Sequence, residues 1–182
     1  MSHLARICAA ALAVMLPVCW AQAPQHKKKP APKPEPTKQE LFEYIRGALL
    51  SYSPDDDTND NLEVSFDENS AVLTVKQPDG HCDHFLNALN ANTLVWEVFD
   101  PSDSVRSRGQ ILRLTVVSVT GKAARTCYDN QDAIETDIAP NRARFLFSYS
   151  KTNQAPDFQT KMTKAMKKLI LLCGGTPEKD IF

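Results

Sequence analysis

Gly80–Phe85 reads GHCDHF, which sets a thiol between two imidazoles with a carboxylate beside it. Four readings use these residue types. Thiolate and imidazole ligate zinc. A thiol beside a histidine base is a nucleophile. A cysteine in an oxidising compartment pairs as a disulfide. The same six residues can also be an ordinary strand.

Strand geometry sorts these readings, because successive side chains alternate faces. Cys82, His84 and Leu86 then share one face, and His81, Asp83 and Phe85 the other, so the two histidines do not easily share a metal. Cys82 and His84 do share a face, but zinc would need two further ligands. The candidates are His26, Cys127, Cys173 and carboxylates. A Cys82–His84 nucleophile pair would need an orienting group and an oxyanion hole, and no signature of a known catalytic cysteine surrounds Cys82. There is no G-x-S-x-G, and six glycines are few for a phosphate-cradling loop. The sequence thus assigns no catalytic residue, no metal ligand and no cofactor. A metal- or thiol-dependent enzyme centred on Cys82 and His84 is the alternative to a non-enzymatic reading.

The elements that would position these residues begin after a leader. Met1–Ala21 reads as a secretory signal: His3 and Arg6 precede the apolar run Ile7–Trp20, which is shorter than the ~20 residues that span a bilayer. Cleavage after Ala21 is favoured over cleavage after Ala23, which would leave Pro24 first. A lipoprotein signal acylated at Cys19 is the lesser reading, because Val18 stands where a small residue is needed. The chain is therefore expected in the periplasm or outside the cell. Residues 22–38 form a spacer with proline at positions 30, 32, 34 and 36 and no large apolar side chain, a composition that stays extended and unfolded. Five lysines and one glutamate give the spacer a charge of +4, whereas residues 39–182 carry fifteen Lys/Arg against twenty-one Asp/Glu, or −6. The 182-residue chain is thus a basic tether on an acidic domain. Such a tether suits an anionic envelope polymer or simply a soluble spacer.

Residues 39–175 are expected to form one domain, with 176–182 as a tail. Thr37-Lys-Gln-Glu40 fits a capping box, and Leu41, Ile45, Ala48, Leu49 and Tyr52 repeat at helical spacing up to Ser53-Pro54. Strand-like runs follow at 62–66, 71–76, 81–87, 93–99, 110–119, 122–128 and 142–150, the first two joined as a hairpin by DENS. The fifth and sixth are expected to pair across Thr120-Gly121. A second helix over about 156–173 carries the stripe Phe158, Met162, Ala165, Leu169 and Leu172, and Gly174-Gly175 ends it.

Helix, seven strands, helix, with FLNALNANTLVWEV at Phe85–Val98 and FQTKMTKAMKKLILLCGG at Phe158–Gly175, resembles the plan of pleckstrin-homology-like domains over Leu62–Gly175. The resemblance implies an α+β fold, mainly β: an N-terminal helix, a seven-stranded antiparallel barrel and a C-terminal capping helix. In such a barrel strands three and six lie in facing sheets, so Cys82 and Cys127 could meet across the core as a disulfide. The alternative is three free, buried thiols at Cys82, Cys127 and Cys173. Inositide-binding members of the family use a basic first loop, whereas Phe66–Ala71 here is acidic and would repel phosphate. The use that fits is binding of a protein or peptide in a groove or on a sheet edge, or of an envelope polymer. Nucleic acid and a transmembrane helix are not expected.

Three further segments have weaker readings. Asp55, Asp57, Asn59 and Asn61 alternate like calcium ligands, but Asp60 and Phe66 stand where an EF-hand needs glycine and glutamate. Trp96 and Phe99 are candidates for an interaction surface, or for core packing. The terminal Ile181-Phe182 could be read by a strand-adding domain.

Overall fold

The computed structural model describes residues 34–54, 61–99, 109–119, 121–129 and 139–177. The expected leader, the spacer up to residue 33, the acidic stretch 55–60 with its calcium reading, and the end of the tail from residue 178 lie outside the described residues. From Glu35 onward the chain clusters as one compact unit.

Helix α1 (Lys38–Ser51) begins where its capping chemistry dictates. The Glu40 N–H donates to the Thr37 hydroxyl at 3.2 Å, and the Glu40 carboxylate accepts from the Thr37 N–H at 2.8 Å. Two of the helix's unpaired N-terminal donors are thereby satisfied. The same backbone bond, with the Thr37 hydroxyl adding to it, holds the Glu40 carboxyl below its ordinary range. The face carrying Leu41, Phe42, Ile45, Ala48 and Leu49 is buried.

Strands β1 (Glu63–Asp67) and β2 (Val72–Gln77) form the expected hairpin. Its turn is held by Asp67, whose carboxylate accepts from the Asn69 N–H at 2.9 Å and the Ser70 hydroxyl at 2.6 Å. Strand β3 (Gly80–Phe85) adds to β2, and a 3-10 turn at Leu86–Ala88 ends it earlier than the sequence suggested. The remaining strands are β4 (Val95–Phe99), β5 (Ile111–Val117), β6 (Arg125–Asp129) and β7 (Arg142–Ser148).

These strands do not close into the expected barrel. They form two antiparallel sheets, β1-β2-β3-β6 and β4-β5-β7. The turn at Gly121 is present, with φ +81° and the Lys122 N–H donating to the Val119 carbonyl at 3.2 Å. It does not return the chain onto β5. Ser118 bridges Leu89, and the Val119 N–H donates to the Ala88 carbonyl at 2.9 Å. The turn therefore passes the chain across to the first sheet, where β6 lies on β3. Strand β7 takes the place beside β5, from Ile111 opposite Ser148 to Val117 opposite Arg142. The pleckstrin-homology-like barrel is thus replaced by an α+β fold of two separate sheets.

Tyr149 and Ser150, expected to prolong the last strand, instead begin a short helix α2 (Tyr149–Asn153). Helix α3 (Phe158–Leu172) buries Phe158, Met162, Ala165, Met166, Leu169 and Ile170. Leu172, expected on that stripe, is 39% exposed. Gly174 (φ +87°) stops the helix, and the Gly175 N–H donates back to the Ile170 carbonyl at 2.9 Å, as helix-ending glycines do.

One core joins α1, both sheets and α3, with Ile45, Leu73, Leu86, Leu114, Phe147 and Met166 among its buried members. The sheets are stitched together at one end. There the Ala124 N–H, just before β6, donates to the Pro140 carbonyl, just before β7, and the Val119 N–H, just after β5, donates to the Ala88 carbonyl, just after β3. Gln77, Ile111 and Ser148 mark the opposite ends of their strands. Gly80 is required at the far end of β3, because a Cβ there would strike the Tyr128 carbonyl of β6.

Two substitutions probe this framework. Thr37→Ala removes the cap and should lower unfolding free energy in urea by about 1 kcal/mol. Gly80→Ala should cost more than about 1 kcal/mol, since the backbone conformation and the close approach both exclude a side chain.

Candidate functional site

Strand β3 separates its reactive residues as alternation requires. On the outer face, His81 stacks on Tyr128 with ring centroids 4.6 Å apart, and Asp83 accepts from the Thr74 hydroxyl at 2.6 Å. On the inner face, Cys82 is bonded to Cys127, 45 positions away. The bridge is not between facing sheets, as the barrel implied. Cys82 and Cys127 are directly opposed on neighbouring strands of one sheet. His84, only 2% exposed, lies against Phe145 of β7 with centroids 4.6 Å apart, a contact that spans the two sheets.

This arrangement determines what the cluster can do chemically. The Cys82 sulfur is consumed in the bridge and is neither a thiolate ligand nor a nucleophile in this state. Among the described residues, no three His, Cys, Asp or Glu side chains converge to hold a metal ion. Cys173 is the free thiol among the described cysteines and is buried. Burial pushes its thiol up from the ordinary range, against a smaller opposite pull from the Lys38 charge, so little thiolate is present at neutral pH.

Trp96 is half-buried. It packs against Phe147 and Phe158 at 5.7 and 6.0 Å between ring centroids, and its indole N–H donates to the Thr163 hydroxyl at 2.8 Å. The side chain thus ties β4 to α3. Of Phe99 only the backbone, opposite Ile111, is within the description. The structure does not bring Trp96 to the inner face of β3.

The feature that sequence reasoning did not find is a cleft of about 340 Å³ between the sheets, toward the end away from the stitching. Its apolar wall includes Leu49, Leu62, Val75, Ile111 and Phe145. Cys82 and His84 line it from the first sheet, and Ser53 and Pro54 from the end of α1. Arg113, Arg125 and Arg144 supply its charge, and no Asp or Glu lies among the described lining residues.

Each arginine is placed by strand alternation. Arg125 stands opposite His84 on the inner face of the first sheet. Arg113 is opposite Leu146, and Arg144 is opposite Thr115, on one face of the second. Arg113 donates from Nε and Nη2 to one Glu97 oxygen, at 3.1 and 2.6 Å. That bond first, then the charge of Arg113 and smaller contributions from Arg142 and Arg144, holds the Glu97 carboxyl below its ordinary range.

Consecutive residues of a strand point to opposite faces, yet Phe145 and Leu146 both line the cleft. The cleft therefore runs along the margin of β7. Among the described residues that margin is one edge of the second sheet, since β7 pairs there with β5 alone. The Tyr149 N–H donates to Gln110 on the β5 side, and the Ser148 N–H donates to the Tyr52 carbonyl on the other side at 2.6 Å. By the same alternation, the Arg144 and Leu146 backbone groups face the cleft.

The chain matches no family model, no curated protein and no solved structure. The site is accordingly argued from its own geometry.

The bridge makes a direct prediction. Alkylation of the unfolded, unreduced protein should label Cys173 but neither Cys82 nor Cys127, read by peptide mass. Labelling of all three thiols would refute the pairing. Replacing both Cys82 and Cys127 with serine should lower stability by about 2–4 kcal/mol in a denaturant titration.

Proposed function

We propose that this chain is an exported, non-enzymatic binding module, and that its ligand is an extended segment of a protein or peptide entering the cleft beside β7. The observation that carries the reading is that β7 is an edge strand among the described residues and runs along an apolar, arginine-bearing cavity. A strand edge offers main-chain donors and acceptors at the strand repeat, and the side pockets next to it read alternate side chains. The volume suits one narrow chain rather than a flat protein face, which favours a peptide segment over a globular surface. An envelope polymer carrying peptide would present the same chemistry.

Export is supported by the leader Met1–Ala21 together with the Cys82–Cys127 bridge, because disulfides persist in oxidising compartments. No helix among the described residues is long and apolar enough to cross a membrane. The basic spacer 22–38 would then hold the domain near an anionic envelope. The alternative, a metal- or thiol-dependent enzyme at Cys82 and His84, requires the bridge to open before any chemistry.

Site-specific photo-crosslinking tests the location. A benzoylphenylalanine replacing Leu146, which is 40% exposed at the cleft, should form defined adducts in envelope preparations. The same group at Tyr44, 41% exposed on α1, should not. Equal or absent crosslinking at the two positions would remove the cleft from the argument. Stoichiometric zinc in freshly purified protein, or a reactive Cys82, would favour the enzyme reading instead.

A further inference from the structure

Independently of the cleft, we infer that the outer face of α3 docks on an anionic lipid bilayer, with Lys161, Lys164, Lys167 and Lys168 as its charge and Leu171 and Leu172 as its apolar contact. Three observations converge. The first is charge. Residues 39–182 carry an excess of acidic side chains, yet Phe158–Cys173 contains four lysines and no Asp or Glu. The second is placement. At 3.6 residues per turn the six side chains fall within an arc of about 140°, turned away from the buried Phe158, Met162, Met166 and Leu169. Lys161, Lys164 and Lys167 are exposed, Lys168 is half-buried, and Leu171 and Leu172 are 36% and 39% exposed. The third is the attachment of the spacer. Lys168 donates to Glu35, so the described end of the basic spacer is fixed to this same face.

A bilayer with anionic headgroups joins these features in one partner. Lysines near such a surface gain from its negative potential, and their long stems let the ammonium groups reach the phosphates while the helix lies flat. Leu171 and Leu172 then enter the headgroup boundary, where surface helices bury apolar side chains. That contact favours lipid over a soluble polyanion, which has no apolar phase to receive them. Bonds already made within the row do not oppose docking. Lys167 donates to the neutral Asn92 side chain at 2.9 Å and keeps its charge. Glu35 offsets part of the charge of Lys168, and Glu43 of α1 lines the same groove as Lys161. Lys164 and Lys167 are therefore the positions on which docking depends most. A row of ammonium point charges needs no fixed geometry, unlike a bidentate arginine site.

Co-sedimentation of residues 22–182 with vesicles tests this, using one-third phosphatidylglycerol in phosphatidylcholine against phosphatidylcholine alone. The chain should bind the anionic vesicles and not the neutral ones, and binding should weaken with added salt. Each lysine near the surface is worth about fivefold, so Lys164→Gln with Lys167→Gln should lower the partition coefficient about 25-fold. The same charge change elsewhere, Lys76→Gln with Lys122→Gln, should alter it less than about twofold, because distant charges are screened. Leu171→Ser with Leu172→Ser should lower it at least about fivefold. Circular dichroism checks that these exposed substitutions leave the fold intact. Equal losses from the two lysine pairs would mean net-charge attraction alone and overturn the docking face. No loss from either pair assigns binding to the spacer and overturns it too. Vesicle binding indifferent to the leucine pair overturns the choice of lipid. So does failure to bind anionic vesicles; if soluble dextran sulfate then still binds through Lys164 and Lys167, the face belongs to a polyanion. None of these outcomes bears on crosslinking at Leu146, which tests the cleft.

Discussion

The position of β6 is the constraint on which the rest of the molecule depends. Had β6 returned onto β5, the second sheet would have had that strand where β7 now lies. Instead β6 lies on β3, with Cys127 directly opposite Cys82 and the two joined covalently. That placement extends the first sheet by a strand and leaves β7 as an edge of the second. The cleft follows from the resulting gap. One topological choice, fixed by a bond between neighbouring strands, thereby sets both the edge position of β7 among the described strands and the cavity beside it.

The electrostatics of the cleft are built on that geometry. Arg125 enters it because β6 is where it is, and its register places it opposite His84. Arg113 and Arg144 belong to the other sheet, on the face opposite its buried Leu112, Leu114, Phe145 and Phe147. The pair between Arg113 and Glu97 is exposed and so contributes little to stability.

The parts of the fold legible in the sequence were those set by neighbours along the chain. The capping box at Thr37–Glu40, the Asp67 turn, the Gly174 stop and the alternation of faces in β3 all rest on spacings of a few residues. The pairing of β6 was not legible, because the turn signal at Thr120-Gly121 is equally compatible with a hairpin and with a crossing between sheets. Hydrogen bonds from Ser118, Val119 and Ala124 decide between them, and their partners are remote in sequence. Cysteine pairing was anticipated for a reason the structure does not bear out: the two residues meet as strand neighbours within one sheet. The cleft had a faint signal in the alternate arginines at 142 and 144 on a strand otherwise rich in phenylalanine. Reading it required knowing that 113 and 125 lie nearby, which no local pattern contains.

A strand at the edge of a sheet is also a liability, since it can template association with another copy. The β7 edge is managed in two ways. At its far end the Tyr52 carbonyl already occupies the Ser148 N–H. Along the rest, Arg142 and Arg144 load the strand with like charge. Two copies meeting edge to edge would set guanidinium against guanidinium, and like charges placed opposite one another across strands are destabilising. Charge on an edge strand thereby acts against self-association without any change in the fold.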